Sequence, residues 1–360
     1  MSDPFLIYGA NGYTGELTAR VAVEQGLRPI LAGRNEAQVA AVAARLGLPH
    51  RCAALDDIAA LDQMLQDVTV VLHCAGPFVY TAQPMVDACL RNRVHYLDIT
   101  GEIAVFEALA GRYDEAKRAG VMLLPGAGFD VVPSDCLAAH LARRLPSATR
   151  LLLGIRALGK LSRGTALTGV EALLRGEGGL VRKQGALTPT PIAWKTRDID
   201  FGKGPRPAVL MPWGDVATAY HSTGIPDIEV YMNLPPATVR AMKASRYVGW
   251  LARLPGVADL IRQRIRGGAP GPTDAERAQG LSLLWGRAED DAGHSAEARL
   301  RTPEGYTLTA LASLLIVRKV LAGQVKPGYQ TPSSVYGPDL ILEIAGVERT
   351  DLDETGAPQF

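Results

Sequence analysis

A chain of 360 residues is long enough for two domains, because a single hydrophobic core usually stops growing at about 250–300 residues. The composition, 47% hydrophobic and 21% charged, is that of an ordinary globular protein and does not point to a fibrous or disordered chain. A formal net charge of +1 gives no support to a nucleic-acid or membrane-binding role for the protein as a whole.

The cysteines and the N-terminus narrow the class of protein further. The 4 cysteines show no C-x-x-C spacing, so we expect reduced thiols and no metal site. The N-terminus has no basic segment followed by a long apolar run, and the sequence contains no run of about 18 apolar residues. We therefore expect a cytoplasmic protein without a membrane-spanning segment.

In chain order, short apolar runs alternate with helix-like stretches from the N-terminus to residue 125. This pattern is typical of a parallel sheet covered by helices on both faces. The runs that we predict to be strands are 5–10, 28–34, 50–55, 68–76, 94–100 and 121–128. The fold predicted for residues 1–147 is therefore α/β, a Rossmann domain with a doubly wound parallel sheet.

Residues 148–324 have a different pattern, in which glycine-rich loops separate runs that we interpret as antiparallel strands. These runs are 217–223, 228–234, 281–290 and 295–311, and the last pair indicates either a hairpin or a strand that enters a helix. We predict a second, α+β domain with a mixed, largely antiparallel sheet and a helical insertion at 236–266. An apolar helix at about 331–347 is expected to return to the first domain.

The stretch YGANGYTG, residues 8–15, spaces its glycines as G-x-x-G-x-x-G between a predicted strand and a predicted helix. There the first glycine permits a sharp turn, the second lets the backbone approach a pyrophosphate, and the third lets the helix pack closely. We favour a nucleotide-binding loop over a purely structural turn. Its candidate cofactor-binding residues are Gly9, Asn11, Gly12, Tyr13, Thr14 and Gly15.

The end of the second predicted strand indicates which nucleotide is bound. An NAD-binding fold usually places Asp or Glu there to accept hydrogen bonds from the ribose 2′-hydroxyl. This chain has Ala32 and Gly33 followed by Arg34, and a guanidinium suits a 2′-phosphate. We predict NADP (NADPH) as the cofactor; the alternative is that Arg34 is a solvated surface arginine.

A second candidate loop, HCAGPF at 73–78, follows the fourth predicted strand. We predict that Gly76, Pro77 and Phe78 run along the nicotinamide side of the cofactor, the alternative being a turn that only ends the strand. His73 lies inside an apolar strand, so we expect a core histidine rather than a catalytic one.

Together these motifs resemble the saccharopine dehydrogenase-like oxidoreductases, in the branch that includes the trans-acting enoyl reductases. The resemblance is dense over residues 5–136 and thinner at 214–231 and 331–337. One departure follows GPF, where relatives often have a glycine and this chain has Tyr80-Thr81-Ala82-Gln83. The stretches that carry the resemblance are YGANGYTG, LAGRN, GPF, HYLDITGE (95–102) and PGAGFDVVPSD (125–135).

The resemblance implies a Rossmann domain, a second domain built on a mixed sheet, a cleft between them, and frequently a dimer formed through the second domain. No basic cluster clearly matches the dicarboxylate-binding groups of the true saccharopine enzymes, so that substrate is not predicted. The residues that match the cofactor motifs of the family are Gly9, Gly12, Gly15, Arg34, Gly76 and Pro77.

Hydride transfer is the chemistry of the nicotinamide, so the protein has to supply orientation and a proton. Our catalytic candidates are Tyr80, Tyr220 and His221, and the carboxyls considered with them are Asp98, Glu102 and Asp130. The alternative for Glu102, together with Thr100, is to satisfy the start of the next helix, and for Asp130 to bond backbone within a turn.

Tyr220 and His221 fall in a run that alternates like a strand. On that interpretation they point to opposite faces, so only one of them can readily face the cleft. A histidine titrates near neutrality, which suits an acid in the proton step.

Residues 239–268 combine an excess of Arg and Lys with an apolar side that includes Tyr247, Trp250, Leu251 and Leu254. Such a segment suits a peripheral membrane contact, a carrier-protein contact or a lid over an acyl substrate. The alternative is a solvated basic face.

From these features we predict an NADPH-dependent oxidoreductase that transfers a hydride to a small or acyl-type substrate. The bond reduced is C=C or C=O in preference to C=N. The alternative is a non-catalytic NADP-binding sensor or scaffold, which would lack a substrate pocket and a proton donor beside the nicotinamide. No nucleic-acid partner is expected.

Overall fold

The structure, a computed structural model, describes residues 4–160, 162–175, 178–248 and 256–353. The chain divides into two compact units. The first comprises Met1–Val132 and Tyr306–Val335, and the second comprises Pro133–Gly305 and Tyr336–Phe360. The domain limits that we predict from the sequence, 1–147 and 148–324, stay a prediction.

The first unit is built on a sheet that, in the described residues, has seven strands, all parallel. The strand order across the sheet is β15-β6-β5-β4-β1-β2-β3, so the winding reverses between β1 and β4. In doubly wound folds, ligands bind outside the carboxyl ends of the strands at such a point. The strands are β1 Phe5–Tyr8, β2 Ile30–Gly33, β3 His50–Cys52, β4 Val70–His73, β5 His95–Asp98, β6 Met122–Leu124 and β15 Gly328–Tyr329.

Local sequence explains these elements. Strands β1, β2 and β4 are buried along their whole length, as expected of parallel strands covered on both faces. The second helix begins after Asn35, whose side chain accepts a hydrogen bond from the Gln38 amide, and ends at a left-handed Gly47. The helices of this unit are α1 Tyr13–Glu24, α2 Glu36–Leu46, α3 Ile58–Met64, α4 Phe78–Asn92, α5 Ile103–Ala110, α6 Tyr113–Ala119, α13 Gly305–Leu321 and α14 Pro332–Tyr336.

The second unit contains, within the described residues, a nine-stranded mixed sheet. Strands β7 and β12 pair in parallel and the other pairs are antiparallel. The strands are β7 Arg150–Leu158, β8 Gly179–Lys183, β9 Ala186–Thr190, β10 Thr196–Asp200, β11 Pro205–Leu210, β12 Asp227–Met232, β13 Leu281–Glu289, β14 Ser295–Pro303 and β16 Glu348–Leu352. The helices are α7 Val132–Arg144, α8 Arg163–Arg175, α9 Asp215–Thr223, α10 Pro236–Val248, α11 Val257–Arg266 and α12 Asp274–Gln279.

Two predicted elements were wrong. Residues 217–223 are not a strand but belong to α9, which buries Val216, Ala217 and Ala219 and ends at Gly224 with a φ of 73°. Residues 331–347 are not one helix, because Gly337, with a φ of 81°, and Pro338 interrupt the chain between α14 and a 3₁₀ helix at Leu340–Glu343. Of the two alternatives for 295–311, the structure has a strand that enters a helix.

Two glycines let the second sheet pack closely on both faces. A Cβ at Gly154 of β7 would lie 2.8 Å from Ile199 Cδ1, whereas a Cβ at Gly286 of β13 would lie 2.6 Å from Leu141 Cδ1 of α7. The sheet also curls, so that Arg299 of β14 donates from Nε to the Asp200 carbonyl at the end of β10, at 2.8 Å, although four strands lie between β10 and β14. The curled face encloses the small apolar cluster of this unit.

We expect Gly286→Val to destabilise the protein by about 1–3 kcal/mol, because the added side chain overpacks the contact with Leu141. The measurement is the midpoint of urea unfolding. Gly169→Ala is a matched control, because Gly169 lies in α8 with no atom within 4 Å of an added Cβ. That change should stabilise the helix by about 0.5–1 kcal/mol. Equal loss of stability in both variants would contradict the packing argument.

Candidate nucleotide-binding site

The glycine loop forms a bare helix N-terminus at the carboxyl end of β1. Gly9 has a φ of 83°, and the Gly12 amide donates to the Gly9 carbonyl at 2.9 Å. A Cβ at Gly15 would collide with the Gly9 carbonyl, so the third glycine is required for α1 to pack. Gly12 is the exposed N-cap residue of α1 and no side chain caps the helix, which leaves its first amides suited to a phosphate.

The other residues of the loop are held from neighbouring elements. Asn11 is exposed, and its Nδ2 donates to Gln38 Oε1 of α2 at 2.8 Å. The Tyr13 ring packs edge-on against the ring of Tyr306 of α13, with centroids 5.2 Å apart. Thr14 is half-buried in the first turn of α1.

The loops that follow β1 and β4 touch at the switch point of the sheet. A Cβ at Gly9 would lie 2.8 Å from both the amide nitrogen and the Cβ of Ala75. The two predicted cofactor loops, 8–15 and 73–78, therefore lie side by side, as a single dinucleotide site requires.

Arg34 lies directly after β2, the strand beside β1, and is exposed. No carboxylate occupies the end of β2, where Ala32 and Gly33 are both buried. Burial raises the pKa of Tyr8 to about 12, and the nearby Arg34 guanidinium opposes that rise. This arrangement has the charge and the access that a 2′-phosphate needs.

The loop after β4 has an exposed Gly76, while Phe78 is buried as the first residue of α4. Pro77 is the N-cap residue and follows a cis peptide bond. The amides of Phe78 and Val79 donate to the two carboxylate oxygens of Glu102, at 2.7 and 3.0 Å. The Glu102 side chain therefore caps α4 and not α5, of which Glu102 is the N-cap residue, which corrects the predicted alternative for Glu102. Thr100 does serve the start of α5, because its Oγ1 accepts a hydrogen bond from the Glu102 amide at 3.0 Å.

Asp98 serves the structure of the sheet. It is fully buried, and its carboxylate accepts hydrogen bonds from the Tyr96 hydroxyl and from the Thr100 and Gly126 amides at 2.8 to 3.0 Å. Burial raises the pKa of Asp98 to about 6, although these donors favour the charged form. The carboxylate thus ties the end of β5 to the loop after β6.

Asp130 has a carboxyl oxygen that the fold leaves without a hydrogen-bond partner. Its Oδ1 is buried without a hydrogen-bond partner, so backbone bonding within a turn does not account for it. The carboxyl lies against Gly101, where an added Cβ would be 2.7 Å from Asp130 Oδ2. Burial raises the pKa of Asp130 to about 7. A half-buried acid with one buried, unpartnered oxygen at the carboxyl edge of the sheet has the properties of a functional group.

His73 is a core residue, as predicted from its strand. Its ring is fully buried among the rings of Tyr8, Phe78 and Tyr96, and Nε2 lies 3.1 Å from Thr81 Oγ1. Burial lowers the pKa of His73 to about 3, so the ring is neutral.

The three catalytic candidates fall in different units. Tyr80 lies in α4 of the first unit and is 57% exposed. Tyr220 and His221 lie in α9 of the second unit, so their predicted placement on opposite faces of a strand was wrong. The buried Arg182 guanidinium sits 4.3 Å from the Tyr220 ring centroid, which gives this tyrosine a packing role. His221 is exposed. Their roles in catalysis stay predictions.

The basic segment predicted at 239–268 corresponds to α10 and α11, with Trp250, Leu251 and Leu254 outside the described residues. In α11, Arg262 is engaged by Glu171 of α8 and by Asp259. Part of the positive charge is therefore neutralised within the second unit.

Two features are absent from the part of the chain that the structure describes. In residues 4–160, 162–175, 178–248 and 256–353, no helix has the length and apolar character needed to cross a membrane. Over the same residues, no group of three or more His, Cys, Asp or Glu side chains is arranged to hold a metal ion.

The fold of the first unit and its glycine loop are those of a dinucleotide-binding domain. Residues 5–124 match the family described as the saccharopine dehydrogenase NADP binding domain, which confirms the resemblance predicted from the motifs. The chain is 33% identical to the human saccharopine dehydrogenase-like oxidoreductase, with 36% of this chain and 35% of that protein covered. It is also 33% identical to the trans-acting enoyl reductase of Mycobacterium leprae (strain TN), with 39% and 35% covered.

These matches are partial: the chain spans about a third of the length of the curated relatives that it matches. The likeness in structure is longer. The apo saccharopine dehydrogenase (L-Glu forming) from Saccharomyces cerevisiae superposes with a TM-score of 0.68 over 98% of this chain and 100% of that one, at 14% identity. The predicted fold, a Rossmann sheet with a second mixed sheet, is therefore confirmed.

We expect Asp130→Asn to raise stability at high pH and to change it little at low pH. The Asp130 pKa is about 7 in the folded chain, against about 3.9 for an unfolded aspartate. Folding thus favours the protonated acid, and this contribution is lost as pH rises from about 4 to 7. Asparagine cannot ionise, so its advantage grows over that window and is constant above it.

The measurement is the thermal unfolding midpoint from pH 4 to 8, without nucleotide. The variant should exceed the natural chain by a few degrees at pH 8. Asp198→Asn, at an exposed position in β10, is the control and should show no such trend. If the difference between Asp130→Asn and the natural chain does not vary with pH, the conclusion that folding raises the Asp130 pKa is refuted.

Proposed function

We propose that this chain is an NADPH-dependent oxidoreductase that transfers a hydride to a small or acyl-type substrate with a C=C or C=O bond. The observation that carries the proposal is the pairing of two features at one switch point. An uncapped glycine loop opens α1, and an exposed Arg34 takes the place of an acid after β2. The matched NADP binding domain over residues 5–124 supports it.

The residues divide the work of holding the cofactor. The backbone of Gly9 to Gly15 and the first turn of α1 would take the pyrophosphate, and Arg34 the 2′-phosphate. Gly76, Pro77 and Phe78, beside the glycine loop, would face the nicotinamide half. When bound, the reduced nicotinamide supplies the hydride.

The proton step needs an acid of the protein, because reduction of a C=C or C=O bond adds a hydride to one atom and a proton to the other. We propose Asp130 for this role ahead of Tyr80, Tyr220 and His221. Its pKa of about 7 leaves a protonated fraction at neutral pH, and its Oδ1 has no competing partner. After giving up the proton, the carboxylate would recover one from solvent.

Other parts of the proposal rest on the sequence and on the names of relatives. An acyl-type C=C substrate is favoured because some relatives are named trans-acting enoyl reductases. The same name supports a carrier-protein contact, for which α10 and α11 are the candidates, with a peripheral membrane contact as the alternative. We also propose a cytoplasmic homodimer formed through the second unit.

Replacing Arg34 tests the cofactor. We expect Arg34→Ala to weaken NADPH binding about 10–100-fold and to leave NADH nearly unchanged, because only NADPH presents a 2′-phosphate for charge-assisted hydrogen bonds. Dissociation constants follow from the fluorescence of the reduced nicotinamide. Arg118→Ala, at an exposed arginine of α6, is the control. Equal losses for NADPH and NADH in Arg34→Ala would remove the 2′-phosphate assignment.

A substrate panel tests the activity. NADPH oxidation is followed with enoyl, keto and imine compounds, including thioesters, and we expect turnover with an enoyl or keto compound. Asp130→Asn should lower that turnover by about 10²–10⁴-fold, and in the natural chain turnover should fall as pH rises through about 7. NADPH binding without turnover on any compound would favour the sensor or scaffold alternative.

A further inference from the structure

The topology of the first sheet assigns the two halves of a dinucleotide to different strands. The order β4-β1-β2 puts the glycine loop in the middle and Arg34 on one side of it, after β2. A cofactor whose pyrophosphate lies at the glycine loop and whose adenosine lies at Arg34 extends its other half over β4. Residues 75–77, which we name the nicotinamide-side loop, follow β4 and contact Gly9.

Thr81 of α4 holds the nicotinamide-side loop through hydrogen bonds of its hydroxyl group. Its Oγ1 lies 2.6 Å from the Ala75 carbonyl and 3.2 Å from the Pro77 carbonyl, so the hydroxyl hydrogen is donated to the loop. These two carbonyls flank Gly76, which is exposed on the outer side. One side chain thus spans the bend in the loop.

His73 completes the arrangement. Because the single hydroxyl hydrogen of Thr81 goes to the loop, the contact of 3.1 Å requires the His73 Nε2–H to donate to Thr81 Oγ1. This tautomer leaves Nδ1 as a buried acceptor without a hydrogen-bond partner. Burying an unpaired polar atom is unfavourable, and an apolar side chain would avoid it. The histidine is therefore explained by its donor to Thr81 and not by packing alone.

Glu102 holds the same loop from its other end. Its carboxylate accepts hydrogen bonds from the Phe78 and Val79 amides, the first two residues of α4 after the loop. The bend at Gly76 is consequently fixed on both sides, by Thr81 through carbonyls and by Glu102 through amides.

We propose that Thr81, which accepts a hydrogen bond from His73, is a positioning residue. It holds the nicotinamide-side loop in the shape that receives the nicotinamide half of NADPH. The inference rests on the proposed function, because it needs a dinucleotide at this site. The proposal predicts that Thr81 affects binding of the nicotinamide half of the ligand and not of the adenosine half. A residue that only stabilised the fold would affect both.

The test compares two ligands on the intact chain, NADPH and adenosine 2′,5′-bisphosphate, which lacks the nicotinamide half. We expect Thr81→Val to weaken NADPH about 5–10-fold, as the loss of one hydrogen-bonded hydroxyl would, and to leave the bisphosphate within about twofold. The change in fluorescence emission that NADPH shows on binding should shrink with it. His73→Leu should act in the same direction.

Two control variants separate a positioning role of Thr81 from a folding defect. Thr81→Ser keeps the hydroxyl and should keep NADPH affinity, which guards against a folding defect in Thr81→Val. Thr18→Val makes the same substitution at a buried threonine of α1 whose Oγ1 has no hydrogen-bond partner, and should change neither ligand.

Unchanged NADPH affinity in Thr81→Val, or equal weakening of both ligands, would overturn the positioning role while the proposed function stands. If the natural chain binds neither ligand, the proposed function fails and this inference falls with it.

Discussion

The site depends on one steric constraint, the close approach of three backbone segments where the sheet changes direction. Gly15 of α1 lies against the Gly9 carbonyl, and Gly9 lies against Ala75, at distances that no Cβ would tolerate. The first contact aims the N-terminus of α1 at the carboxyl edge of the sheet. The second brings the loop after β4 beside it. Without both contacts the helix amides and the exposed Gly76 could not share one ligand, because a single added methyl group at either glycine would separate the segments.

Three acidic residues near these loops, Asp98, Glu102 and Asp130, differ in whether the protein satisfies their carboxyl groups. Asp98 and Glu102 are satisfied by hydrogen-bond donors of the protein and hold loops in place, Asp98 at the end of β5 and Glu102 at the start of α4. Asp130 has no such donor at Oδ1, so its burial is left uncompensated. Uncompensated burial favours the neutral acid, and a neutral acid near pH 7 is a proton donor. Desolvation disfavours the charged form of a carboxyl group, which would be a cost for a residue that only holds a loop. For Asp130 the same effect provides a proton donor near neutral pH.

The sequence is informative wherever the signal is local. Strands β1, β2 and β6 lie in continuous apolar runs, and a spaced set of glycines follows β1, so six of the seven strands and the glycine loop could be predicted. The prediction fails at α9, because apolar and polar residues that alternate over a short stretch also fit one face of a short helix. Partners distant in sequence are equally hidden: Glu102 caps a helix that begins 24 residues earlier at Phe78. Nothing around Asp130 indicates that its carboxyl lacks a partner, since that depends on packing and not on neighbours in the chain.

The division of the chain suggests where specificity resides. The match to the NADP binding domain ends at residue 124, inside the first unit, and that unit also holds Arg34, Thr81 and Asp130. Arg34 and Thr81, proposed to serve cofactor binding, therefore lie within the matched part of the chain, whereas Asp130, proposed for the proton step, lies beyond it but in the same unit. The second unit shares the fold of saccharopine dehydrogenase at low identity, and fold does not determine substrate. Within it, the Tyr220 ring packs on the Arg182 guanidinium, so this tyrosine has a structural explanation that requires no substrate.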